Sequence, residues 1–305
     1  MLATLRRRLG ADSPGDVVFL ALTGLCAVGL VAVFADLVLV LGQRAWPAIA
    51  EFGLGFLTNR SWNPPGQSFG AFPYLVGTLA TSLIAIAVAV PIAVGTAVAL
   101  ALLLPRAVAG PLGVLVELLA AVPSIVFGVW GLAVIAPFVR KLADVLGQDT
   151  FGPSILAAGL VLAAMVLPII TAVTRDMVLA VPRHQRDAAL ALGATPWEVT
   201  WKVVLPHARP GIVAAVILGF GRAIGETMAV IMVVGNQPLV PDGIFAPGAT
   251  MASVIANEFG DPSGPLHGAS LVELGLILLI TSLVLNLLAR AIVKRLSRRL
   301  GGSSA

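Results

Sequence analysis

Arg222 and Glu226 fall inside an otherwise uncharged run from about Gly211 to Val234. Arg222 is the twelfth of those 24 residues, so both groups are expected near the middle of any bilayer the run crosses. A spacing of four places them on one helix face. A lone arginine there costs at least about 2.5–3.5 kcal/mol on insertion scales, and a neighbouring carboxylate reduces that. One reading is therefore a mutually neutralised structural pair. The favoured reading is a substrate route, because intramembrane ionisable groups mostly line such routes. A guanidinium fork fits a tetrahedral oxyanion bidentately. Monohydrogen phosphate also has an O–H for a carboxylate to accept, and sulfate has none. Arg222 as anion ligand and Glu226 as acceptor would thus favour phosphate. Gly221 and Gly225 form a small-xxx-small patch that would let a neighbouring helix approach closely.

Other chemistry is missing from the sequence. It contains no GxSxG, HExxH or GxxxxGK[ST] pattern, hence no recognisable hydrolase, zinc-protease or ATPase site. The expectation is a transport subunit and not an enzyme, driven by a partner or an ion gradient. Cys26 is the single cysteine, and His184, His207 and His267 match no metal-ligand spacing, so no metal or cofactor is expected. The histidines read as polar loop residues.

The segment just before Arg222 is polar and bounded by prolines. Pro182 suits the first turn of a helix that continues through Asp187-Ala188-Ala189, and Gly193 is placed to stop it. Thr195-Pro196-Trp197-Glu198 reads as a capping box opening a second short helix, closed by Leu205-Pro206. Pro210-Gly211 then opens the apolar run. Two short helices at a fixed angle make a rigid knob, and the spacing alone equally allows an amphipathic loop lying on headgroups.

These segments need a membrane to position them. Residues are 58% hydrophobic and 11% charged, with mean hydropathy +1.01, whereas soluble domains carry about 25% charged residues. The expected class is an all-α polytopic membrane protein with six transmembrane helices. The spans are expected at about Val17–Ala35, Tyr74–Leu104, Leu112–Val139, Gly152–Thr174, Gly211–Val234 and Ala269–Val293, with a polar connection over 42–72. Pro91, Pro123 and Pro168 read mainly as tolerated kinks. Glu117 lies near one end of the third span, and Glu273 and Arg290 near opposite ends of the sixth, where snorkelling suffices. The net charge of +4 does not imply nucleic acid, because the basic residues flank apolar spans. Thirteen sit at the termini, at Arg106 and over 175–209, against four in the opposite loops. The positive-inside rule therefore expects both termini and the knob in the cytoplasm.

Asp187-Ala188-Ala189, three residues, Gly193, nine residues, Val203, one residue, then Leu205-Pro206 resembles the EAA loop of ABC-importer permeases. Asp187 replaces the usual glutamate and Val203 the usual isoleucine. The resemblance implies the type I ABC importer permease architecture. It also implies that Asp187, Ala188, Ala189, Gly193, Leu205 and Pro206 belong to a coupling helix docking on an ATPase. Ala120 to Leu132, Gly221 to Val230 and Thr250 to Gly260 are similar to segments of PstC-type phosphate permeases. That resemblance implies a PstA-type permease partner, two PstB-type ATPases, a PstS-type phosphate-binding protein at the outer face, and location in a bacterial inner membrane. The expected organisation is a tail, first helix and outer connection over 1–72, a permease core over 73–293 with coupling helices at 182–206, and a basic tail over 294–305. Permeases for sulfate, molybdate or phosphonate are the nearest alternatives, and a secondary transporter is a further one.

Overall fold

A computed structural model describes residues 14–301, so Arg6, Arg7, Arg8 and residues 302–305 lie outside the described residues. Of the expected basic tail, 294–301 continue the last helix. The described residues form helices and connecting turns, and six helices are long and apolar enough to cross a membrane.

Helix α1, Pro14–Phe52, is a single rod of 39 residues. It overruns the expected first span and absorbs the start of the supposed polar connection. Arg44, Trp46 and Pro47 interrupt the hydropathy there but do not end the helix: the exposed Arg44 and Trp46 side chains leave the ladder untouched, and Pro47 removes one backbone donor without stopping it. The short α2, Gly55–Thr58, follows it. Helix α3, Phe72–Val98, carries Pro91 internally and ends in a π turn over Ala99–Leu103.

The expected third span is divided. Helix α4, Arg106–Ala120, ends just before Pro123, and α5, Ser124–Trp130, begins just after it. Proline disfavours helical backbone at the residue before it, so the apolar run breaks there. A π turn at Gly131–Ile135 joins α5 to α6, Ala136–Val145. The membrane-length piece is thus 124–145, and Glu117 belongs to a separate helix.

Helix α7, Ile155–Leu179, is the centre of the bundle. Ser154 caps it, its Oγ accepting the Ala157 N–H at 3.2 Å. Ala85, Ala89 and Ala93 on α3 repeat every four residues and are fully buried with Ala157, Ala158, Val161 and Leu162 of α7 in one core cluster. Small residues at that spacing bring two helix axes together, which suits a solvent of lipid tails where burial alone gives little drive.

The end opposite the knob has its own core. Phe56, Trp62, Phe69 and Tyr74 pack with α12, Met251–Glu258, and the upper part of α13, Pro265–Gly301. His267 is buried in it, stacked on Phe69 at 5.2 Å, which corrects the polar-loop expectation. Its Nδ1 accepts the Ser263 N–H at 3.0 Å, so Nε2 carries the proton and donates to Glu258 Oε2 at 2.9 Å. Trp62 Nε1 donates to the same oxygen at 2.9 Å. Sequence hydropathy sees a histidine in a loop. Only the fold brings residues 62, 258 and 267 together.

Candidate functional site

The knob begins with α8, Arg183–Ala191, preceded by Pro182. Gly193 stops it with φ +89°. The Gly193 N–H reaches Leu190 O at 2.9 Å and the Ala194 N–H reaches Ala189 O at 3.1 Å, the paired bonds of a Schellman motif. Thr195 opens α9, Pro196–Val199, with both halves of the expected capping box formed. Glu198 also binds Lys202 Nζ at 2.8 Å one turn on.

The knob is welded from below and bare above. Val178, Val181, Val199, Val204 and Ala208 form a buried cluster with Ala189 against it. Asp187 and Ala188 are exposed, as are Leu190, Leu192, Trp197 and Trp201. Trp197 and Trp201 meet edge to face at 5.4 Å.

The expected closure at Leu205-Pro206 does not occur. α9 passes through a π turn at Thr200–Val204 directly into α10, Leu205–Ile224. The Leu205 N–H bonds back to Thr200 O, five residues earlier. This wider turn immediately precedes Pro206, which has no N–H to donate to the ladder. The result is one continuous helix of 29 residues, Pro196–Ile224. At 1.5 Å per residue it spans about 43 Å, more than the roughly 30 Å of hydrocarbon, so its knob end stands outside.

The other end stops early. α10 ends at Ile224, and Gly225, Glu226 and Thr227 form a break before the short α11, Met228–Ile231. Gly211 of α10 lies against Met177 of α7, and Gly219 against Ile170 and Val166. At the far end, the Ser154 N–H bonds Val233 O at 2.9 Å. In that register Arg222 stands level with the middle of α7, at the depth expected. Its relation to Glu226 differs from expectation. Glu226 lies beyond the helix end, so four residues no longer mean one face, and the described residues show no ion pair between them. Glu226 Oε1 accepts the Ala229 N–H at 3.3 Å and caps α11. Arg222 is exposed and makes no ion pair or hydrogen bond among the described residues. Gly221 faces α13, but Gly225 is outside the helix and exposed, so the small-residue patch is half formed.

Two other ionisable sites differ from the sequence reading. Glu117 accepts a bond from Arg175 Nη2 at 3.0 Å, tying α4 to α7. The Arg175 guanidinium lies in the niche left by Gly113, where a Cβ would strike Nη1. Arg175 Nε is also 3.5 Å from Asp176 Oδ1. Sequence reasoning missed this strap because 58 residues separate its ends. Glu273 is buried and does not snorkel, and its Oε2 has no hydrogen-bond partner. No group of three or more metal-ligating side chains occurs among the described residues.

A six-span bundle with an exposed helical knob at one end and a broken helix beside an unpaired arginine at mid-depth defines a transport permease. Residues 89–302 match the binding-protein-dependent transport system inner membrane components, and the chain belongs to that family. It is 40% identical over 301 residues to the phosphate transport system permease protein PstC of Mesorhizobium japonicum, covering 94% of this chain and 92% of that one. The PstC of Pasteurella multocida is 39% identical over 302 residues, covering 94% of each. Among solved structures, a bacterial alginate ABC transporter with its periplasmic protein superposes with TM-score 0.65 at 15% identity, over 93% of this chain and 98% of that one. The inward-facing MetNI methionine transporter gives 0.56 at 20% identity, over 72% and 93%. The expected type I importer fold is borne out.

Proposed function

We propose that this chain is the permease half of an ATP-driven importer of inorganic phosphate, with both termini and the knob in the cytoplasm. Its partners are a PstA-type permease, two PstB-type ATPases and a PstS-type binding protein that docks on the outer face, where loop 235–268 meets it. The near full-length likeness to chains named for phosphate transport carries the substrate assignment. The local chemistry agrees with it, because Arg222 offers a free guanidinium fork at mid-bilayer beside a break in the helix. Discontinuous helices at that depth are where membrane transporters place their ligands.

The coupling follows from continuity. ATP-driven closure of the ATPase pair moves the knob, whose Asp187, Ala188 and Ala189 form part of the docking helix. The second knob helix passes without a joint through Leu205 and Pro206 into the span that ends beside Arg222. Motion at the docking helix therefore passes the capped Gly193 turn and then travels along one continuous helix to the anion ligand. Glu226 holds the α11 turn in place and accepts the P–OH of a bound phosphate.

The test is uptake of labelled phosphate by proteoliposomes holding the complete complex, with sulfate and molybdate as competitors. Phosphate uptake resistant to both is expected. Arg222→Lys keeps the charge but loses the fork, and it should lower uptake at least about tenfold, some 1.4 kcal/mol. Wild-type uptake by that variant, in an assembled complex, would overturn Arg222 as the ligand. Transport of sulfate in preference to phosphate would overturn the substrate.

A further inference from the structure

Around the depth of Arg222, the sixth span carries three polar residues outside the Arg222–Glu226 site. Ser282, Asn286 and Arg290 recur every four residues on α13, so they share one helix face. Ser282 and Asn286 are half-buried and Arg290 is exposed, while Leu283, Val284, Leu287 and Leu288 present exposed apolar side chains on the rest of the helix. A Cβ at Gly221 would lie 3.5 Å from Asn286 Nδ2, so this face meets α10 one residue before Arg222. Because α13 runs from the outer core towards the knob end, Ser282 lies one turn outward of that level and Arg290 one turn inward of it.

Polar groups inside a span are usually glue between helices or the lining of a wet route. Glue is the poorer fit. Asn286 Nδ2 donates to Ser282 O of its own helix at 2.8 Å and makes no hydrogen bond to α10 among the described residues. That bond fixes the amide and leaves Oδ1 and the second N–H unused. Facing it, α10 offers Gly221, where an added Cβ would touch the Asn286 amide at 3.5 Å, so the amide lies directly against the α10 backbone beside Arg222.

We propose that Ser282, Asn286 and Arg290 line the anion route alongside Arg222, with Ser282 one turn outward, Asn286 level with it and Arg290 one turn inward. The Ser282 hydroxyl and the Asn286 amide N–H meet the oxyanion beside Arg222. The Arg290 guanidinium takes it one turn further towards the knob end. Neutral donors followed by one exposed cation give an anion partners at each step without a well deep enough to hold it. This rests on the phosphate-importer reading above.

The test uses single cysteines at 282, 286 and 290 in a Cys26→Ser background, with Val284→Cys as the control on the apolar face. The assembled complex in inside-out vesicles is treated with an anionic methanethiosulfonate, with and without inorganic phosphate. Cysteines at 282, 286 and 290 should react and be slowed by phosphate, while 284 stays unreactive. Arg290→Gln should lower uptake about tenfold and Arg290→Lys should restore most of it. Positions 282 and 286 reacting no faster than 284, or reacting without phosphate protection while Arg222→Lys still abolishes phosphate uptake, would overturn the stripe and spare the function. Protection by sulfate but not phosphate would keep the stripe and overturn the phosphate reading.

Discussion

Arg222 carries its charge at mid-depth with no carboxylate against it among the described residues. That removes the reading of a self-neutralised pair, since Glu226 is engaged with the Ala229 N–H and not with the guanidinium. The two residues keep separate tasks. Replacing Glu226 with glutamine retains an oxygen that can accept the Ala229 N–H, so α11 should keep its cap. The amide accepts a P–OH less strongly than a carboxylate, so preference for phosphate over sulfate should fall. Competition of labelled phosphate uptake by sulfate in Glu226→Gln complexes measures this, and an unchanged preference would remove the acceptor role. The depth of Arg222 was legible from its place in an apolar run. Its freedom was not, because spacing of four implies a shared face only while the helix lasts.

The knob was the most readable element, and for a physical reason. Caps are local: Gly193 supplies a backbone conformation other residues resist, and Thr195 with Glu198 satisfies donors within one turn. Gly193→Pro asks for φ near −65° where the chain holds +89°, a strain on the order of 1–3 kcal/mol. It should disturb the knob while the spans still insert. Ala188→Trp tests docking more cleanly, because Ala188 is exposed and a large side chain there meets nothing inside the subunit. Both variants should hydrolyse ATP in the complex with uptake reduced, read as phosphate moved per ATP split. Wild-type ratios in both would sink the coupling assignment. The π turn at 200–204 and the breaks near Pro123 and Gly225 were not readable as such. Hydropathy averages side chains and is blind to whether the backbone ladder beneath them is continuous. The same blindness let Pro206 look like a terminator.

Across the bundle, the number of spans was legible because each needs a long uncharged run, and six such helices are found. Which helix sits in the middle was not. Only packing reveals that α7 is enclosed and that the alanine seam of α3 lies against it. Contacts between distant residues were likewise invisible, including Arg175 with Glu117 and the triad of Trp62, Glu258 and His267. The proposed orientation rests on charge asymmetry and is open to a direct check. Leu192, 90% exposed on the knob, and Phe151, 94% exposed at the opposite end, are reporters that touch little else. With Cys26→Ser, a cysteine at 192 should react with an impermeant maleimide only in inside-out vesicles, and one at 151 only in intact spheroplasts. The reverse pattern would invert the topology and with it the direction of transport.

The wide turn at 200–204 has a consequence for how this chain tolerates change. Each residue of an α-helix advances the azimuth by about 100°, so the compass bearing of Trp197 relative to Arg222 is fixed by the count of residues between them. A π turn holds roughly one residue more than an α turn. Losing one residue there would relax it to an ordinary turn and leave Trp197 at nearly the same bearing, whereas losing one from the α-helical stretch 205–224 would swing the knob by about 100° against Arg222. The spare residue at 200–204 is thus slack in the rod, the one stretch of it where a deletion costs little direction.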